Sequence, residues 1–187
     1  PPLPRIEVED DSEIARSVAL AKAAEVAVLV LGEAQIMIGE HASRSSLDLP
    51  GRQQELLEAV VATGTPTVVL IMTGRPMDLK GVQPAAQMMV WYPGTKGGDA
   101  VARLLFGDAV PGGKLPYTWP RNIGQVPLPY AHLRSFKPEE TEMRYWNEPN
   151  SPLYPFGHGL SYTRFTYANL SLSSTGIAIG ESLDVSV

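Results

Sequence analysis

Cysteine is absent from the 187 residues, so the chain has no disulfide framework, no thiolate nucleophile and no Cys-based metal site. That absence removes chemistry without fixing a compartment, since periplasmic proteins also commonly lack cysteine. Positive charge is in deficit: the formal net charge is −5, which gives no basic footprint for phosphate backbones or anionic lipid heads and argues against nucleic acid and membrane partners. There is no initiator Met, no signal peptide and no apolar run of membrane-spanning length. The chain opens on "PPLPRIEVED" and ends in an alternating "SLDVSV", which reads as the interior of a longer polypeptide. The last run, with Leu183, Val185 and Val187 alternating, reads as a half-buried strand cut before its partner.

With 44% apolar residues, the chain can bury one sizeable core. Asp10, Asp11 and Ser12 offer N-cap oxygens to a helix whose Ile14, Val18 and Ala21 recur at helical spacing to about Ala24. "VAVLVLG", Val26 to Gly32, is a continuous β-branched and Leu run, as expected of a strand covered on both faces. Pro50 opens a second helix with Leu56, Leu57, Val60 and Val61 as its stripe and Gly64 as its stop. "PTVVLIM" and "AQMMVWY" are further apolar runs, and a third helix spans Asp99 to Phe106 before Gly107. Strands alternating with helices imply βαβ units, so the fold class is α/β with a largely parallel sheet flanked by helices.

From Asp108 the Pro, Gly and aromatic residues favour extended segments lying over the domain, interrupted by a solvated "KPEETE". Thr166 to Val187 has period-2 alternation, the start of a β-rich unit. A boundary therefore falls near Phe165, dividing residues 1–165 from 166–187.

In open α/β sheets, ligands collect beyond the carboxyl ends of the strands. The connection from Gly32 to Leu49, "GEAQIMIGEHASRSSLDL", is eighteen residues long, well beyond the roughly two to six usual for a βα link. It carries Glu33, Glu40, His41 and Arg44. Each charge alone is compatible with a solvated loop. His41, His132 and His158 lack the spacing of a metal-binding helix, so no metal is expected. Ser43, Ser45 and Ser46 lie in no GxSxG elbow, and "PGTKGGDA" has neither phosphate-loop signature, which leaves a tight structural turn.

Jointly, these motifs resemble family 3 glycoside hydrolases. "GEAQIMIGEHASRSSLDLPGRQQELL" is similar to that family's acid/base loop, with its Gly-Glu, Gly-Glu-x-x-(Ser/Asp)-Arg and Leu-x-Leu-Pro-x-x-Gln elements. "TGRPMDL", "WYPGTKGGDAVARLLFGDAVPGGKLPYTWPR" and "SPLYPFGHGLSYTRF" follow in the family's order. The resemblance, closest in character to bacterial periplasmic-type β-glucosidases, implies an α/β sandwich domain incomplete at its N-terminus. It also implies that the first strands of an all-β fibronectin III-like domain follow.

It further implies a retaining exo-acting β-glycosidase acting on a β-glucoside or oligosaccharide, with no cofactor and a periplasmic or secreted location. The nucleophilic Asp would lie in an N-terminal barrel, on the same polypeptide or a separate chain, and a homodimer is compatible with that arrangement. The second Gly-Glu makes Glu40 the implied general acid/base, with Glu33 the rival; Arg44 and His41 are the implied substrate-binding or loop-orienting residues. A β-xylosidase, another β-glycosidase of the family, and a non-catalytic carbohydrate-binding α/β module are the alternatives. Lys96 stands where the family usually has Glu, and His158 where it usually has Tyr. Trp91, Trp119 and Trp146 are expected in core or interdomain contacts rather than sugar stacking.

Overall fold

The computed structural model describes residues 11–131 and 145–187, with the side chains of residues 11 and 12 excepted. The expected N-cap oxygens at Asp10 to Ser12, His132 and the "KPEETE" stretch lie outside what is described. Helix α1, Asp11–Lys22, ends two residues before the expected Ala24. The Thr65 hydroxyl donates to the Ala21 carbonyl at 2.8 Å, satisfying one of the acceptors that a helix end leaves open.

Strands β1 (Ala27–Gly32), β2 (Thr67–Met72) and β3 (Ala86–Met89) form a parallel sheet in the order β1-β2-β3. Gly32 is level with Met72, and Ile71 with Met89, so the carboxyl ends of all three strands converge on one side. Helix α2, Gln53–Val61, links β1 to β2, and α3, Gly97–Leu105, follows β3. Gly64 and Gly107, past the ends of α2 and α3, have φ of +79° and +80°, the left-handed turn that glycine adopts without Cβ strain.

Leu57 of α2 meets Leu31, Val69 and Ile71 of the sheet, with Leu49, Met77 and Leu79 closing the cluster, and Val60 of α2 is buried as well. Full burial of an aliphatic side chain of this size stabilises by about 1.5–3 kcal/mol. The Pro-rich tail contributes Trp119, whose indole N–H donates to the Met77 carbonyl at 3.3 Å. Backbone bonds from Leu115 to His158 and from Trp119 to Tyr154 lay that tail alongside residues 153–158. A row of rings, Trp91, Tyr117, Trp119, Tyr154 and His158, runs across this junction. His158 stacks on Tyr154 at 4.7 Å, so the imidazole fills an aromatic position. Trp119 is core, Trp91 is half-buried and Trp146 is fully exposed.

Two expectations are corrected. Among the described residues, the β1 run is covered on one face only: Leu29 and Leu31 turn inward, while Val28 and Val30 are exposed. A continuous apolar run signals that both faces suit burial, but it does not supply the covering element, and among the described residues none lies over that face. The terminal run does have a partner, for Val185–Ser186 pairs antiparallel with the upstream Ser171–Leu172. In this pair Val185 and Val187 are exposed and only Leu183 is partly buried.

Candidate active site

The long loop leaves β1 at Gly32, whose φ is +139° and whose missing Cβ would lie 2.0 Å from the Met72 carbonyl oxygen. Only glycine fits there. The Gln53 side-chain amide grips this residue at both backbone groups, accepting from the Gly32 N–H at 2.7 Å and donating to its carbonyl at 2.8 Å. Leu47 and Leu49 are buried around the Asp48–Asp78 bridge, which fixes the loop's return.

Glu33 comes next, with its side chain wholly buried. Oε1 accepts from Arg44 Nη1 at 3.0 Å, and Oε2 accepts from the Thr73 hydroxyl at 2.5 Å and forms an ion pair with Arg75 Nε at 3.0 Å. The Tyr92 hydroxyl donates to the Glu33 backbone carbonyl at 3.0 Å. Burial pushes the Tyr92 phenol above its ordinary range, and the Glu33 carboxylate adds to the shift. Glu33 therefore joins residues from beyond the ends of all three strands. A buried carboxylate is tolerated only with charged partners and filled acceptor sites, and here two guanidiniums supply both.

The tip of the loop is the opposite environment. A 3₁₀ turn, Gln35–Met37, leads to Gly39 at φ +99° and His41 at φ +65°, and the Ala42 N–H closes the turn onto the Gly39 carbonyl at 3.2 Å. A non-glycine residue in the left-handed region carries strain that its surroundings must sustain. Between them Glu40 projects outward. The Glu40 and His41 side chains are each 91% exposed, and their nearest approach is 3.9 Å. Beneath the tip, Arg75 Nη2 donates to the carbonyls of Met37 and Ala42, each at 2.9 Å.

Residues 5–162 match the glycosyl hydrolase family 3 C-terminal domain. The chain belongs to glycosyl hydrolase family 3. It is 46% identical to a periplasmic beta-glucosidase of Salmonella typhimurium over 169 residues, 86% of this chain and 22% of that relative. It is 40% identical to a beta-xylosidase of Formosa agariphila over 173 residues, 91% of this chain and 24% of that relative. A beta-glucosidase of Listeria innocua, solved in complex with glucose, superposes with a TM-score of 0.79 at 35% identity, covering 90% of this chain and 24% of that one. The chain thus spans about a quarter or less of the length of these relatives.

In this family 3 domain, the four loop residues named from sequence divide into two groups. Glu33 and Arg44 meet at the root, and Glu40 and His41 lie together at the tip. Sequence reasoning missed Thr73, Arg75 and Gln53 as contributors. "TGRPMDL" and Leu-x-Leu-Pro-x-x-Gln were visible as motifs, but the contacts cross 21 to 42 positions of sequence. Only the parallel register, which sets Gly32 against Met72, shows which residues meet. At the "PGTKGG" turn, Lys96 pairs with Asp99 at 3.3 Å in solvent, and Gly97 packs where a Cβ would meet Pro93. No cluster of three His, Cys, Asp or Glu suited to a metal occurs among the described residues.

Proposed function

We propose that this chain is the acid/base-bearing part of a retaining exo-acting β-glucosidase that releases terminal β-D-glucose. Glu40 is its general acid and base. What carries this reading is the contrast within the loop: Glu33 is sealed under two guanidiniums, while Glu40 is held out from an anchored turn with its oxygens open to a substrate. In the retaining mechanism a nucleophile and an acid stand about 5–5.5 Å apart. The acid protonates the departing glycosidic oxygen as the nucleophile bonds to the anomeric carbon, and the resulting carboxylate then deprotonates the water that releases the sugar.

The nucleophile is assigned to an N-terminal barrel domain, which would close over the loop tip. Closure would exclude bulk water from the tip. Arg44 orients the loop through Glu33, and His41, beside Glu40, is a substrate-facing residue. The family match ending at residue 162 supports a domain boundary near Phe165, with 166–187 opening a fibronectin III-like domain. Similarity to the Salmonella protein supports a periplasmic or secreted location.

In the complete enzyme, Glu40→Gln is expected to lower kcat/KM for glycosides with poor leaving groups by roughly 10²–10⁴-fold while sparing dinitrophenyl glycosides. Equal loss on both substrates would remove Glu40 from this role. The Formosa agariphila relative favours a β-xylosidase as the second candidate. Turnover of paired aryl β-glucosides and β-xylosides by the same enzyme decides between them.

A further inference from the structure

We propose that Arg75 is the positioning residue of the acid/base loop: its one guanidinium locks the buried root to both flanks of the tip and thereby sets where Glu40 stands. The inference rests on Glu40 being the acid/base. Nε binds the Glu33 carboxylate at 3.0 Å, while Nη2 donates to the Met37 and Ala42 carbonyls at 2.9 Å each. The four residues between those carbonyls include Glu40 and both left-handed positions, Gly39 and His41.

Among the described contacts, the tip is otherwise held by Ile38, half-buried with its side chain beside Gly74. The tip's own closure is the single Ala42-to-Gly39 hydrogen bond, and the side chains of Glu40 and His41 lie in solvent. A turn with a strained residue at +65° keeps that form only where neighbouring contacts over-determine it. Arg75 supplies such contacts, and it is itself fixed, because the carboxylate it binds is fully buried and also holds Thr73 and Arg44. Thr73 follows directly on β2, so the clamp transmits the position of the rigid sheet to the tip. Arginine suits the task because its planar fork serves a carboxylate and two carbonyls at once. A lysine ammonium is a point charge on a flexible stem and cannot span the same three acceptors.

The test uses the complete enzyme carrying this chain, with wild type, Arg75→Lys, Glu40→Gln and the double variant assayed on phenyl and 2,4-dinitrophenyl β-glucosides. Lysine keeps the charge beside Glu33, so the substitution isolates the geometry of the fork. Arg75→Lys is expected to lower kcat/KM on the phenyl glucoside by about 100-fold, the cost of a misplacement of about 1 Å. The dinitrophenyl glucoside, which needs no proton, should change by less than about threefold, a small effect on this scale. In the double variant, Arg75→Lys should add no further loss on the phenyl glucoside, because residues acting through one group are not additive.

The ratio of the two constants is independent of the concentration of folded enzyme, so partial unfolding leaves the readout intact. Arg75→Gln provides the same comparison should the lysine variant not accumulate. Equal losses on both substrates, or a full additional loss in the Glu40→Gln background, would overturn the proposal. The two assignments fail differently. If Glu40→Gln itself shows no leaving-group dependence, the acid/base role falls and the clamp with it; if Glu40→Gln shows it and Arg75→Lys does not, only the clamp falls.

Discussion

Glu33 and Glu40 occupy one loop, seven positions apart, and the protein treats the same functional group in opposite ways. At the root the carboxylate is buried, with two hydrogen-bond donors and a second guanidinium in ion-pair contact; at the tip it is almost wholly solvated beside one histidine. Burial commits Glu33 to architecture, because its oxygens are occupied by two guanidiniums and a hydroxyl. Exposure leaves the Glu40 side chain uncommitted in this chain, in contact with solvent and His41. A long loop needs both kinds of residue, one to fix its origin and one to present.

The comparison is broken most directly by exchanging what each site loses. Glu40→Gln should carry the largest effect, the roughly 10²–10⁴-fold selective kinetic loss described above. Its thermal unfolding should stay within about 0.5 kcal/mol of wild type, as for other surface substitutions. A substantial fall in stability would mean that the tip is structural after all.

Glu33→Gln should do the reverse. It strands two guanidiniums, each with a side chain 21% exposed, and the expected loss in denaturant unfolding of the complete protein is roughly 3 kcal/mol, the lower end for a broken buried pair. Because Arg75 then loses its anchor, the activity that survives should fall more on unactivated than on activated glycosides.

Gln53→Leu removes the amide that holds Gly32 at both backbone groups. About 2 kcal/mol of destabilisation is expected, since a part-buried donor and acceptor both lose their partner. An unchanged midpoint would show that the loop's origin is fixed by the strand register alone.

The smallest effect belongs to Tyr117. Its hydroxyl is buried without a hydrogen-bond partner among the described residues, and burial raises its pKa well above the ordinary 10.0. With the folded value above the unfolded one, stability is fully present below pH 10.0 and declines as pH rises beyond it. Tyr117→Phe should flatten that alkaline decline and change neutral-pH stability by no more than about 1 kcal/mol, in the stabilising direction. A pH series of thermal midpoints for the two proteins checks both statements.

Much of this architecture is legible before any coordinates. The apolar runs mark β1, β2 and β3; the spacing of Leu57 and Val60 marks the buried stripe of α2; Gly64 and Gly107 mark helix ends by the backbone angles they permit. The exposure of Val28 and Val30 was not legible, because a sequence reports how well a strand tolerates cover and not whether cover is present. At the site, the family resemblance ranked Glu40 ahead of Glu33, but which of the two is buried could not be read. Nothing local distinguishes the Glu after Gly32 from the Glu after Gly39; the difference arises when β1 and β2 align and bring Thr73 and Arg75 beneath the first. Arg75 itself was hidden for the same reason, 33 positions from the Ala42 carbonyl it binds.

The clamp recognises main-chain carbonyls at Met37 and Ala42, not the side chains between them. Its hold is therefore largely indifferent to what the tip is made of. The side chain at His41, which lies in solvent, can change without loosening that hold. The loop is a socket with a permanent mount and an exchangeable fitting.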